Sequence, residues 1–484
     1  MMESRSSGPY FEKLLWEAFV IDSWTILREV ILLFLSLMPA LPLASPFALQ
    51  TFSCDQSWIS QLPSTIEASL AFSSDGAHIA IGEFIDWASL PPGSPNVTNH
   101  LIYITPQPVQ QITFNSLGES PYAPWRISMA EDGYNIAAAL KGGGVQLFSR
   151  SYHEFDWKFP GTVSENLGLS GDGKNLAALV MNATSNVLFV LSTAYPYGTI
   201  WTYRFAGSIG NTSSYQDVGI SYDGSRIAAL MGRSLFVFSK NSNQTLWSKV
   251  VESAQTDTSD IIGASETQVF MSHDGNRLVT IEDANINIYS TATGAVEKSF
   301  SLDGAWWPGI VTPDETVAIS KDGSTLGVTT GGKLKVWDLN SGTELFSKTV
   351  LDQFTLGSYT VTEEPLTVSL SQNGTSIVVG GQQRGVFVYD RAGNELCKTY
   401  AGYVNVGATP NVKVSDDGNH VAAYAQDTAV LITVSPHDST LLLIVGIGGA
   451  AAAVIIAFLL FRRRRKSRVA TLESVENGKP SKIG

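Results

Sequence analysis

The sequence predicts an all-β repeat protein, and three observations carry that prediction. One motif recurs: "ISYDGSRIAALM" from Ile220 has counterparts in "LSGDGKNLAALV" from Leu169, "MSHDGNRLVTIE" from Met271 and "ISKDGSTLGVTT" from Ile319. Within this motif, Asp-Gly or Asn-Gly pairs fall at Asp75, Asp132, Asp172, Asp223, Asp274, Asp322, Asn373 and Asp417, at intervals of 57, 40, 51, 51, 48, 51 and 44 residues, the period of repeat architectures. The segments around them alternate apolar and polar residues, and helical periodicity is nearly absent. Eight copies of a four-stranded antiparallel unit make an eight-bladed β-propeller.

Each copy justifies its elements in order. An alternating stretch such as "VGIS", "VAIS" or "VKVS" is the first strand. Asp-Gly then turns the chain, because Gly accepts a positive φ and Asp or Ser bonds the local backbone. "IAAL" or "VAAY" returns as the second strand, and "SLFVFSKN" or "RGVFVYDR" is a third. A fourth often carries an aromatic residue, as in "FDWKF", "TIWTY" and "TLWSK". The eighth copy lacks this fourth strand. "CDQSWISQL", Cys54 to Leu62, fits the missing pattern with Trp58 at the aromatic position, so the N-terminal strand is expected to close the ring and leave no free sheet edge. Cys397 holds the aromatic position of the seventh outer strand, on the blade next to Cys54. A disulfide between them would lock the ring in an oxidising compartment, if adjacent outer strands come close enough.

Both ends of the chain carry location signals. "LLLIVGIGGAAAAVIIAFLLF", Leu441 to Phe461, is 21 residues without a charge, and "RRRRKSR" follows at once. At about 1.5 Å per residue such a helix crosses a hydrocarbon core of roughly 30 Å. Basic flanks stay in the cytoplasm, so the body is expected outside the cell. "VILLFLSLMPALPLAS", Val30 to Ser45, is either a signal-peptide core, cleaved between Ala44 and Ala48, or a second anchor. The expected organisation is therefore an N-terminal extension and signal peptide or anchor (1–48), the propeller (49–436), a linker (437–440), one transmembrane helix (441–461) and a basic cytoplasmic tail (462–484). Sequons at Asn96, Asn182, Asn211, Asn243 and Asn373 suit an exported, glycosylated body.

Charge restricts the partners. Between Leu49 and Thr440 there are 20 lysines and arginines against 37 aspartates and glutamates, a net −17, which repels phosphate backbones and argues against nucleic acid. Two cysteines exclude a disulfide-rich scaffold or a cysteine-based zinc cluster.

The repeats resemble the large propeller group that includes WD-repeat and pyrroloquinoline-quinone-type (quinoprotein-like) propellers. "LKVWDLNSGTELFSK" carries the Trp-Asp pair of the first, at Trp337-Asp338, and "YSTATGAVEKSF" is similar to the outer-strand motif of the second. The layout of signal, propeller, span and basic tail resembles membrane-anchored surface propellers of prokaryotes, archaea in particular. The shared residues are turn and packing residues, so the resemblance implies a fold rather than an activity.

No catalytic set and no cofactor is expected. The vicinal cysteines and calcium-loop spacing of a quinone-dependent enzyme are missing, as are His-x-His, His-Glu-x-x-His and Gly-x-Ser-x-Gly. His78, His273 and His420 flank the turns and read as solvated. Six residues before each turn stand Ser69, Arg126, Asn166, Asp217, Gln268, Thr316, Thr367 and Asn411, all polar and by symmetry one ring at a channel mouth. Strand starts at a wet channel are polar in any case; the sharper reading is a small ligand or ion. Tyr122, Trp125, Trp306, Trp307 and Tyr403 surround that rim, and adjacent tryptophans could stack on a sugar or grip a protein. The expected function is a non-catalytic binding or scaffold module for a protein, glycan or envelope partner. The alternatives are a channel-mouth enzyme of the quinoprotein-like or lactonase-like type, or a sensor working through a separate cytoplasmic partner.

Overall fold

Each Asp-Gly pair turns the chain by its local chemistry. The eight glycines, Gly76 to Gly418, take φ between 65° and 76°, a region closed to most side chains. Ahead of the first, Ser73 Oγ donates to Asp75 Oδ1 at 2.6 Å, and that oxygen accepts the Ala77 N–H at 2.9 Å. Ser73 Oγ in turn accepts the His78 N–H at 2.9 Å. The same Ser–Asp bond recurs at Ser170, Ser221, Ser272, Ser320 and Ser415. In the seventh copy Asn373 does the work, accepting from both the backbone and the hydroxyl of Thr375.

The computed structural model describes residues 51–61, 67–84, 101–106, 109–114, 124–140, 144–150, 155–159, 163–182, 185–194, 197–205, 216–251, 268–282, 285–301, 316–330, 332–356, 359–401, 411–425 and 428–437. Phe52–Pro436 is one compact unit. Within it, seven four-stranded antiparallel sheets keep sequence order, from Glu67–Phe72 at the start of blade 1 to Glu395–Tyr400 at the edge of blade 7. Blade 8 combines Asn411–Val414, His420–Ala425 and Thr428–His437 with the N-terminal strand Thr51–Gln61 as its outermost member. That closing strand starts three residues earlier than the pattern around Cys54 indicated. First strands of successive blades pack on one another, and that of blade 8 packs on that of blade 1, so the ring is shut.

The core is distributed rather than central. Every interface between neighbouring blades carries its own buried apolar cluster, from Ala80, Tyr103 and Ile136 between blades 1 and 2 to Ile81, Ile104 and Leu431 between blades 8 and 1. This arises because each sheet is apolar on both faces and must bury both. The outer-strand aromatics join blades at the periphery. Trp201 Nε1 donates to Lys240 O at 2.6 Å, and Trp247 Nε1 to Thr291 O at 2.7 Å, each on the next blade. Trp337 of the Trp-Asp pair is buried, while Asp338 meets Arg391 of blade 7 at 2.6 Å.

Cys54 and Cys397 are bonded, with 5.5 Å between their Cα atoms. Gln56 Nε2 adds a bond to Tyr400 O at 2.7 Å beside them. One element has no counterpart in the repeat: a hairpin of Asp352–Leu356 and Tyr359–Glu363 between blades 6 and 7. Among the described residues no helix is long and apolar enough to cross a membrane; Val30–Ser45 and Leu441–Phe461 lie outside them.

Candidate functional site

The eight first strands leave one edge of each sheet without a ladder partner, facing the propeller axis. Buried amides there need acceptors. Side chains of the preceding blade provide them: Ile127 N–H donates to Ser69 Oγ at 3.1 Å, Leu169 N–H to Ser128 Oγ at 3.2 Å, Val269 N–H to Asp217 Oδ2 at 2.9 Å and Val414 N–H to Ser369 Oγ at 3.2 Å.

Two of these acceptors, Ser69 and Asp217, belong to the polar ring expected at one mouth. Asp217 is buried and also accepts its neighbour's Val218 N–H at 2.8 Å. Arg126 donates to Asn166 Oδ1 and stands 3.4 Å from Asp217 Oδ1, reaching two blades along the ring. Thr316, Thr367 and Asn411 are buried. Trp125 and Gln268 lie in first strands, but their side chains are outside the described residues, as are Tyr122, Trp306, Trp307 and Tyr403 altogether. Of the sequons, Asn243 and Asn373 are exposed, the Asn182 side chain is outside the described residues, and so are Asn96 and Asn211.

The opposite mouth holds an arrangement that the repeat pattern did not announce. The residue before the turn's Asp or Asn joins, in every copy, a closed circuit of backbone hydrogen bonds. Ser74 N–H donates to Glu131 O, Glu131 N–H to Gly171 O, Asp172 N–H to Tyr222 O, Tyr222 N–H to His273 O and His273 N–H to Lys321 O. Asp322 N–H donates to Gln372 O, Gln372 N–H to Asp416 O, and Asp416 N–H back to Ser74 O at 2.8 Å.

Charged side chains from this circuit meet across the axis. Lys321 Nζ is 2.7 Å from Glu131 Oε1 and 2.6 Å from Asp416 Oδ1. Glu131 belongs to blade 2 and Lys321 to blade 6, on opposite sides of an eight-membered ring. His273 Nε2 lies 3.3 Å from the same Glu131 oxygen and stacks on Tyr222 with 4.1 Å between ring centres. A Cβ on Gly171 would come within 2.3 Å of the Tyr222 ring, so only glycine admits it there. Burial pushes the Asp416 carboxyl above the ordinary aspartate value, outweighing the hydrogen bond from Lys321. A signal for this cluster did exist in the sequence. The position before the turn's Asp or Asn takes a different residue type in all eight copies, while the residues on either side repeat as Ser and Asp in six of them.

His78 is not the solvated turn residue expected. It is buried, stacked on Tyr103 at 5.6 Å, with Nε2 3.2 Å from Arg150 Nη1. Among the described residues no group of three or more His, Cys, Asp or Glu side chains is arranged to hold a metal ion.

No protein-family model and no curated protein matches the chain. Among solved structures it is similar to the C-terminal WD40 domain of Sif2, with a TM-score of 0.54 and 12% identity over 79% of this chain and 98% of that domain. The chain shares the β-propeller fold of that domain. At this identity the likeness speaks to fold and not to activity.

Proposed function

We propose that the WD40-like propeller is the extracellular part of a single-span membrane protein and acts as a non-catalytic binding module for a protein, glycan or cell-envelope partner. The observation that carries this reading is the use made of its axial polar groups. Asp217, Ser69, Glu131, Lys321 and Asp416 bond to one another or to inner-edge amides instead of converging on an open position. A channel enzyme needs the reverse, polar groups aimed at a vacant site for the reacting atoms. The uncharged run Leu441–Phe461 with the arginines after it supports the anchor and the outward body, and Val30–Ser45 supports export. Exposed Asn243 and Asn373 suit glycosylation on that side. Trp306 and Trp307 remain the residues proposed for partner contact, together with Tyr122 and Trp125.

Cross-linking on intact native membranes, then affinity capture and mass spectrometry, tests the reading. A reproducible partner with cross-links near Trp306 and Trp307 is expected. Turnover of a small substrate by the purified propeller, lost on Arg126→Ala, would overturn it in favour of channel chemistry.

A further inference from the structure

Both ends of the propeller leave from the same face. The innermost strand of blade 8, Asn411–Val414, runs toward its Asp417-Gly418 turn, and His420–Ala425 runs back. Thr428–His437 then returns to the turn side, where Val434 N–H donates to Asn419 O at 2.8 Å. Ser435 and Pro436 therefore lie level with the turn or beyond it. Ser53 Oγ meets Ser435 Oγ at 3.1 Å and Ser57 Oγ donates to Leu431 O at 3.2 Å, which sets the closing strand antiparallel to its neighbour. Phe52 consequently sits beside Pro436. The face carrying the Ser-x-Asp-Gly turns is thus the one at which the chain both enters and leaves. The opposite, loop face holds both ends of the Phe84–Leu101 connection and of the Ser301–Val317 connection that contains Trp306 and Trp307.

Length makes this decisive. Five Cα steps separate Pro436 from Leu441, and a fully extended chain covers at most about 3.6 Å per step, roughly 18 Å in all. The ten-residue strand Thr428–His437 is about 33 Å long at about 3.3 Å per residue. Four linker residues are too few to run back along the blade to the loop face. On the anchored reading above, we propose that the turn face is the bilayer-facing surface of this protein and the loop face is its partner-facing surface. A retained N-terminal anchor fits the same orientation, since Phe52 leaves beside Pro436.

The turn face carries the carboxylates of Asp172, Asp223 and Asp274, which anionic headgroups repel, so the tether and not lipid adsorption holds it there. The test uses the full chain in phosphatidylcholine–phosphatidylglycerol vesicles. Both native cysteines are paired, so single dyes go onto Asn276→Cys on the turn face and Arg233→Cys on the loop face, both exposed positions. Energy transfer to an acceptor lipid at the bilayer surface is expected to be several-fold higher from position 276. Lys174→Cys and Gln382→Cys repeat the comparison on other blades, should either first variant fold poorly. Equal transfer, or higher transfer from the loop face, overturns the orientation while leaving the anchor intact. Release of the full chain into the supernatant by alkaline carbonate overturns the anchor and the orientation with it.

Discussion

Asp274 shows what one residue of the repeat contributes. Burial draws its carboxyl upward, but the Ser272 hydroxyl and the Asn276 N–H outweigh that and hold it below the ordinary aspartate value. Asp75, Asp172, Asp223, Asp322 and Asp417 are lowered in the same way. A lowered folded pKa stabilises above the unfolded value, about 3.9, and that stability is lost as pH falls through the folded value. Thermal melting followed against pH is expected to drop steeply below about pH 4. Asp274→Asn should flatten part of that drop and cost up to about 1 kcal/mol at neutral pH, because the site is partly exposed. Asn373 already holds its own turn this way. Glu363 runs in the opposite sense. Burial raises its carboxyl despite bonds from the 383 and 385 backbone, so its contribution improves as pH falls through its folded value. The turn chemistry was legible in the sequence because Ser, Asp and Gly act within five residues. Glu363 was not, because its partners come from a different blade strand.

At the scale of elements, the outer strands carry the links between blades. Trp247 packs over Gly294 and donates to Thr291 O, so Trp247→Ala is expected to cost about 2–4 kcal/mol in denaturant unfolding and to loosen blade 4 from blade 5. The aromatic residue at the fourth-strand place of the repeat, in "TLWSK", identified the strand, while the indole's acceptor on the next blade became visible only in the fold. The closing strand is held by Cys54–Cys397, which joins residues 343 positions apart. Reduction, or Cys54→Ser, is expected to destabilise the ring by about 2–5 kcal/mol. Hydrogen exchange should quicken first along Thr51–Gln61, since the other strands of blade 8 retain their ladders. The hairpin Asp352–Glu363 escaped the sequence reading because it interrupts the repeat and lacks its Ser-x-Asp-Gly motif.

For the whole molecule, the circuit at the turn face and the charges across it join all eight blades. Lys321→Met would leave Glu131 and Asp416 facing each other without their shared cation. The Asp416 carboxyl, already raised by burial, should then rise further, and the variant is expected to lose about 1–3 kcal/mol at neutral pH. That deficit should shrink as pH falls through the carboxylate range, because protonated carboxyls no longer need the ammonium. Melting temperatures of the two proteins at pH 7 and pH 3 measure it; a gap unchanged with pH would place the loss in packing. The repeat period, the turn residues and strand alternation determined the propeller, its eight blades and its N-terminal closure, since these depend on local backbone preferences and on the need to pair every edge. Tertiary structure alone decided which polar residues meet. Glu131 and Lys321 are 190 positions apart in the sequence and opposite one another in the ring, and only closure brings their charges within bonding distance.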